Sequence, residues 1–210
     1  MKNERIEILG KIPHDCYVAL SGGPDSMAII NFLSRGRKNV TALHYNHGTD
    51  HGRKAERFVR NYCDNTGVPL HVGSINNFRD KNAGESPEEY WRKARYEFFR
   101  AFSDKPIIMG HNLDDEIENF LFTSIRNGAP SLIPYSRKVY EALVIRPFIL
   151  TKKSVLEQWC VDKKVPFVVD PGNSDPKHTR SFIRHSLVPQ ALTVNPGLYK
   201  VIKKQLLEVW

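Results

Sequence analysis

The chain has 210 residues, 40% of them hydrophobic, enough for one large domain or one domain with a small appendage. Lys and Arg outnumber Asp and Glu by 31 to 23, a formal charge of +8, which favours an anionic partner: nucleotide, nucleic acid or anionic membrane. Three widely spaced cysteines, Cys16, Cys63 and Cys160, form no CxxC pair, so a zinc ribbon or a cluster held within one chain is not expected and a reducing interior is. "CYVAL" reads as a buried strand, and "SMAIINFLSR" as a helix closed by Gly36. "NVTALHYNH" is a second strand, running into a loop rich in Gly and His. "RKAERFVRNYCDNTG" puts Phe58, Val59, Tyr62 and Cys63 on one helical face with Gly67 as the stop, and "VPLHVGSI" is the third strand. After a polar loop over 76–84, Ser86, Pro87 and Glu89 form a capping box with proline at the first helical position, opening the helix "PEEYWRKARYEFFRAF". "PIIMGH" is the fourth strand and "LDDEIENFLFTSIRNG" a helix ended by Gly128. "ALVIRPFIL" is the fifth strand, "KKSVLEQWCVDKK" a helix, "VPFVVD" a short extended piece and "LYKVIKKQLLEVW" a final helix.

The N-terminal "MKNERIEILGKIPHD" is too polar for a secretory signal, and no apolar run approaches the roughly 18–20 residues that span a bilayer, so a cytoplasmic protein is expected. Strand and helix alternate, which predicts an α/β fold: a parallel twisted sheet of about five strands with helices on both faces and a short helical C-terminal tail. Residues 1–170 are expected to form a nucleotide-binding catalytic domain and 171–210 a basic helical tail facing RNA. Such sheets bind ligands at the carboxyl ends of their strands. "SGGPDS", "HYNHG" and "GHNLDDE" all fall at such ends.

A strand, a Gly-rich turn and a helix together form a phosphate-binding design. Glycines let the backbone approach an anion without a Cβ in the way, and the helix start supplies free N–H groups and partial positive charge. Ser21 and Ser26 add hydroxyl donors, and Asp25 can bind a Mg²⁺ ion that bridges phosphate oxygens. The loop is neither a Walker A sequence nor GxGxxG. The bland alternative is a β-turn, since Gly, Pro, Asp and Ser all favour turns.

SGGxDS is the signature of the PP-loop ATP pyrophosphatases, and the loop resembles it over all six positions, Ser21 to Ser26. Within that superfamily, further segments resemble the tRNA(Ile)-lysidine synthases. "HYNHG" is similar to HVNHGLR, and "ESPEEYWRKARYEFF" to E-x-x-x-R-x-x-RY through Glu88, Arg92, Arg95 and Tyr96. "GHNLDDEIENFLF" is similar to AHHxDDQxET, "IRPFI" to IRPLL, and "DPGNSDPKHTRSFIRHSLVP" to a D-x-SN…RN-x-IR…P segment. The departures are HGTD for HGLR, Ser181 for an asparagine, Glu116 for a glutamine and Asn119 for a threonine. Many members of that family continue into further domains that grip the acceptor stem, whereas here only a short helix is expected beyond Pro196.

The resemblance implies a tRNA(Ile)-lysidine synthase-like ligase. ATP is split to AMP and pyrophosphate as O2 of an anticodon cytidine is adenylated, and the amine of free lysine then displaces AMP. Ser21, Gly22, Gly23, Asp25 and Ser26 would hold the triphosphate, with His47 bordering the adenine and ribose. Asp25, with an acid of the Asp114–Asp115 pair (Asp114 first), would hold Mg²⁺. Asp115 and Glu118 would meet the lysine ammonium, and Arg95 would serve the chemistry. Arg92, Arg146, Arg180 and Arg184 would bind RNA, alongside Lys177, His178 and His185. The expected partners are isoleucine tRNA, lysine and a second copy of the chain.

Each reading has a plain counterpart. Acids in a first helical turn stabilise the helix dipole. A lone histidine is more often structural, and basic side chains on a helix often only solvate it. Asp170, Asn173 and Asp175 look like a turn built on side-chain caps. Two other functions remain open from sequence: a PP-loop enzyme passing sulfur or ammonia to another carbonyl, and a nucleotide-binding module without catalysis.

Overall fold

In the computed structural model, the residues described are 4–75, 81–82, 84–170 and 179–210. Most of the 76–84 loop, and Asn173, Asp175, Lys177 and His178, lie outside them, as does the side chain of Glu88.

The order of elements is β1 (Asp15–Ala19), α1 (Pro24–Arg35), β2 (Asn39–Asn46), α2 (Asp50–Thr66), β3 (Leu70–Ser74), α3 (Pro87–Arg100), β4 (Ile107–Ile108), α4 (Leu113–Asn127), β5 (Ser136–Val139), β6 (Ala142–Ile145), α5 (Lys153–Asp162), α6 (Thr179–Phe182), a π-helical turn over Ile183–Leu187, α7 (Val188–Val194) and α8 (Leu198–Val209). The strands form one six-stranded sheet in the order β3-β2-β1-β4-β6-β5. All pairs are parallel except β5 with β6. The chain runs outward from β1 through β2 to β3, then returns to place β4 on the other side of β1. A crevice therefore opens between the carboxyl ends of β1 and β4, where open α/β sheets bind their ligands.

Alternation along β1 sorts the core. Cys16, Val18 and Leu20 join the cluster built with α1, α2 and α5, whereas Tyr17 joins Leu43, Phe99, Ile107 and Val144 on the opposite face. Met27, Ala28, Ile29, Ile30 and Leu33 of α1 are all 0–1% exposed, so the helix that follows the glycine loop is locked in the interior. A third cluster joins Leu9, Leu113 and Ile117 to Leu198, Ile202 and Leu206, seating α8 against α4.

The caps match their sequence signals. Ser86 Oγ accepts from Glu89 N at the start of α3, with Pro87 at the first position. Gly67 and Gly128 close α2 and α4 at φ +68° and +71°. Thr49, where the family has leucine, caps α2 by accepting from Gly52 N at 2.9 Å.

The fifth expected strand ends at Ile145, because Pro147 offers no N–H to a ladder. The antiparallel edge strand β5, "SRKV", was not expected: it lacks an apolar face, a common trait of edge strands. It turns into β6 through Tyr140, at φ +50°. The π-helical turn was also not anticipated. Pro189 has no N–H and its ring crowds the carbonyl four residues back, and the chain responds with a bond from Val188 N to Ile183 O. No helix among the described residues is long and apolar enough to cross a membrane.

Candidate active site

The loop between β1 and α1 is held by its own hydroxyls. Ser26 Oγ donates to Gly23 O at 3.1 Å and accepts from Ser21 N at 3.2 Å. Gly23 N donates to Ser21 Oγ at 3.2 Å, and the two serine oxygens lie 3.0 Å apart. Gly22 has φ +89°, and a Cβ there would stand 3.2 Å from Val168 and 3.4 Å from Phe58, so conformation and space both require glycine. The extended piece after α5 clamps this turn, with Val168 N donating to Gly22 O at 2.9 Å. Across the crevice, a Cβ on Gly110 would lie 3.6 Å from Ser26 N, so the ends of β1 and β4 meet closely at the loop.

Three carboxylates converge beside it. Asp25 Oδ1 is buried without a hydrogen-bond partner. Burial, then the charge of Asp115, pushes the Asp25 carboxyl up to about 7. Asp115 is raised to about 6 by burial, partly offset by the Asn112 N–H that donates to its Oδ2 at 3.0 Å. That bond belongs to a reciprocal capping box, in which Asn112 Oδ1 accepts from Asp114 N and Asp115 N. Glu118, 7% exposed, is gripped by Arg184, whose Nε reaches Oε1 at 2.6 Å and whose Nη2 reaches Oε2 at 3.0 Å. Arg184 Nη2 also lies 3.8 Å from Asp115 Oδ1. The hydrogen bonds to Glu118 hold the guanidinium above its ordinary value. Among the described residues, no three His, Cys, Asp or Glu side chains form a complete metal cage.

Three expected residues are placed differently. Asp114 is hydrogen-bonded to other elements: its Oδ1 accepts from Tyr199 Oη at 2.6 Å and its Oδ2 from Lys153 N at 2.7 Å. Both oxygens are engaged in tying α4 to α5 and α8, and the Asp114 charge also acts on Asp25. Arg146, 4% exposed, donates from Nε to His111 Nδ1 at 3.0 Å and from Nη1 to Pro134 O at 2.8 Å, so it supports the crevice from within and is no surface contact for RNA. Arg184 likewise faces Glu118 and Asp115 rather than outward. Arg92 and Arg180 are exposed.

Arg95 and His47 are close enough for the charge of one to act on the other. Arg95 Nε and His47 Nδ1 are buried without partners. Burial lowers Arg95 from its ordinary value, and burial with the Arg95 charge pushes His47 down to about 4. The His47 ring lies 5.2 Å from Tyr45 and 5.6 Å from Trp91. The neighbouring His44 and Asn46 are structural: His44 Nδ1 lies 2.8 Å from Leu20 O, while Asn46 donates to Glu56 and accepts from Gly48 N.

Sequence reading missed His111, although it lies inside the quoted "GHNLDDE". Burial, then Arg146, Arg95 and Arg180, push its imidazole down to about 3. Glu116, fully buried, was read only as a substitution. Its carboxylate accepts from Ile133 N at 2.9 Å, and burial pushes it up to about 7.

Residues 3–191 match the PP-loop domain family. The tRNA(Ile)-lysidine synthase of Thermosipho africanus is 32% identical over 92% of this chain and 47% of its own length. That of Thermotoga sp. strain RQ2 is 34% identical over 85% of this chain and 45% of its own length. The chain thus spans about half the length of these curated relatives. Among solved structures, the U34-tRNA thiolase NcsA from Methanococcus maripaludis superposes with a TM-score of 0.74 over 99% of this chain and 74% of that one; at 16% identity the likeness is one of fold. With the Ser21–Ser26 turn seated at the switch point of a parallel sheet and the family match running through nearly all of its length, the chain belongs to the PP-loop domain family.

Proposed function

We propose that this chain carries the ATP-dependent chemistry of a tRNA(Ile)-lysidine synthase: adenylation of O2 of an anticodon cytidine, then displacement of AMP by the ε-amine of lysine. The observation that carries the reading is the convergence, at one crevice, of a glycine–serine turn and two carboxylates raised toward neutrality, one of them with a buried oxygen that has no hydrogen-bond partner. Perturbed titrating groups of this kind gather at reaction sites. Similarity to curated lysidine synthases over 85–92% of the chain supports the choice of acceptor.

Backbone N–H groups of the loop and of the first turn of α1, with the Ser21 and Ser26 hydroxyls, would bind the departing pyrophosphate. Asp25 and Asp115 fit Mg²⁺: both are hard oxygen donors, Asp25 Oδ1 has no other partner, and two carboxylates with phosphate oxygens are a usual set for that ion. When bound, Mg²⁺ would neutralise charge on the pyrophosphate. Arg95 would meet the developing negative charge, and His47, against Trp91, would border the nucleoside.

The cytidine oxygen bonds to the α-phosphorus as the bond to pyrophosphate breaks. The lysine amine then bonds to C2 as the bond from C2 to the AMP oxygen breaks. The ammonium must first lose a proton to a nearby carboxylate. Glu118, held by Arg184, would line the place where the amine approaches. Arg92 and Arg180 and the basic helical segment from Thr179 onward would face the RNA backbone.

Sulfur transfer is disfavoured by the cysteines themselves. Cys16, Cys63 and Cys160 are buried, and burial pushes each thiol up to about 11. The test is mass spectrometry of tRNA nucleosides after incubation with ATP, Mg²⁺, lysine and isoleucine tRNA. A lysine-bearing cytidine is expected. Unmodified cytidine with intact ATP binding would overturn the choice of substrate.

A further inference from the structure

We propose that the cavity between α1, α2 and the chain that follows α5 is a second nucleotide site. It takes a nucleoside monophosphate, with Lys163 and Lys164 at the phosphate and Asn61 and Asn65 at the base. The site is separate from the crevice and does not depend on which acceptor is modified there.

The cavity has a volume of about 360 Å³. Small-molecule sites run from about 300 to 1,000 Å³. Its place follows from the topology. α1 and α2 each begin at the carboxyl end of a strand and run back toward the amino ends. Asn31, Asn61, Asn65 and Thr66 line the cavity from the second halves of those helices. It therefore opens on the helical face of the sheet, away from the carboxyl ends where the crevice lies.

Its chemistry is that of a nucleotide. Asn61 and Asn65 are one turn apart on α2, and both are exposed. Their side chains make no hydrogen bond among the described residues, which leaves amide donors and acceptors for the edge of a base. Phe58, Val165 and Pro166 supply apolar wall for its faces. Asn31 is fixed beside them: its Oδ1 accepts from Trp159 Nε1 at 3.1 Å and from Arg35 Nε at 3.0 Å. Lys163 Nζ stands 5.3 Å from the centre of the Trp159 ring. Neither Lys163 nor Lys164 has an ion pair among the described residues, and no Asp or Glu lines the cavity. Two ammonium groups match the charge of one phosphate monoester. With no carboxylate to hold Mg²⁺, a longer phosphate chain is not provided for.

The backbone at Lys164 points the same way. This residue has φ +53° just after α5, where Val165 N donates to Cys160 O at 2.8 Å. Gly67 and Gly128 stand in left-handed conformation after α2 and α4, where no Cβ penalty arises. A lysine in that conformation is strained, and its place on the cavity wall gives the side chain a use. The site also shares structure with the phosphate loop. Phe58 is the residue a Cβ on Gly22 would meet at 3.4 Å, and Val168, two residues past Pro166, donates from its N to Gly22 O.

Nitrogen-15 NMR of the full chain during titration with AMP tests the proposal. The Trp159 indole, bonded to Asn31 and covered by Lys163, reads the cavity; the Trp91 indole, against His47, reads the crevice. AMP should move the Trp159 signal to saturation. Lys163→Ala and Lys164→Gly should each raise that midpoint about fivefold or more, with the Trp91 midpoint unchanged. Inorganic phosphate alone and adenosine alone should each act only at much higher concentration. Lys164→Gly should also raise Tm, because glycine relieves the left-handed backbone. A Trp159 signal unmoved by AMP, or one that moves at the same midpoint in both lysine variants, would overturn the proposal. Phosphate acting as well as AMP would overturn the nucleotide as ligand, and a lower Tm for Lys164→Gly would overturn the reading of Lys164 as a residue kept for binding.

Discussion

The phosphate loop and the carboxylate cluster lie side by side but are built in opposite ways. The loop is a local object: Ser21, Gly23 and Ser26 bond to one another within five residues of sequence. The cluster is a long-range one: Asp25 meets the field of Asp115, and Glu118 meets Arg184, 66 residues away. Local chemistry fixes shape, and distant partners fix charge state. The same sequence pattern, DDE at a helix start, therefore yields three acids with three fates: Asp114 bound to Tyr199 and Lys153, Asp115 in the crevice, Glu116 under Ile133.

The contrast can be broken most severely at Asp25, which belongs to both regions. Asp25→Asn should abolish AMP formation, by at least about 10³-fold, roughly 4 kcal/mol in the barrier. It should not destabilise the fold. The native carboxyl, at about 7, binds its proton more tightly than the unfolded one, at its ordinary 3.8. Between those values the folded state holds more protons, so wild-type stability falls as pH rises through that window. Asp25→Asn removes the fall: its Tm should exceed that of the wild type at pH 8 and match it near pH 4. A lower Tm at pH 8 would show that the charged form is stabilised in the fold.

Arg184→Met comes next. It leaves Glu118, 7% exposed, without its bidentate partner, and about 2 kcal/mol of stability should be lost in urea unfolding, less than for a fully buried pair because Arg184 is part-exposed. Adding Glu118→Gln should restore part of that loss; strictly additive effects would mean the pair is not coupled.

Glu116→Gln is a gentler probe of the same principle. Its raised carboxyl also makes stability fall as pH rises from about 4.5 to about 7. The glutamine should raise Tm at pH 8 by the equivalent of roughly 1 kcal/mol and leave it unchanged below about pH 4. The smallest effect is expected for Tyr199→Phe, which removes one hydrogen bond to Asp114: about 1 kcal/mol in stability, with AMP formation retained. Lost turnover in a folded Tyr199→Phe protein would place Asp114 in the chemistry after all.

Much of this fold is legible in the sequence because its signals are local. Gly67 and Gly128 sit at left-handed caps, Ser86 and Pro87 open α3, and the alternation of Cys16, Tyr17 and Val18 divides the two faces of β1. What escaped depends on partners far away. β5 is polar and pairs only because β6 needs an edge, and the π-helical turn that aims Arg184 arises from Pro189 in its three-dimensional setting. His111 looked like one more residue of a motif, because nothing near it in sequence announces Arg146. Arg146 and Arg184 read as surface cations for the same reason.

The central claim is that the turn at Ser21–Ser26 holds a departing pyrophosphate, so the bond broken is the one between the α and β phosphates. ATP labelled at the α-phosphate, incubated with the protein, Mg²⁺, isoleucine tRNA and lysine, tests it directly. Labelled AMP with an equal amount of pyrophosphate is predicted; labelled ADP with inorganic phosphate would contradict it.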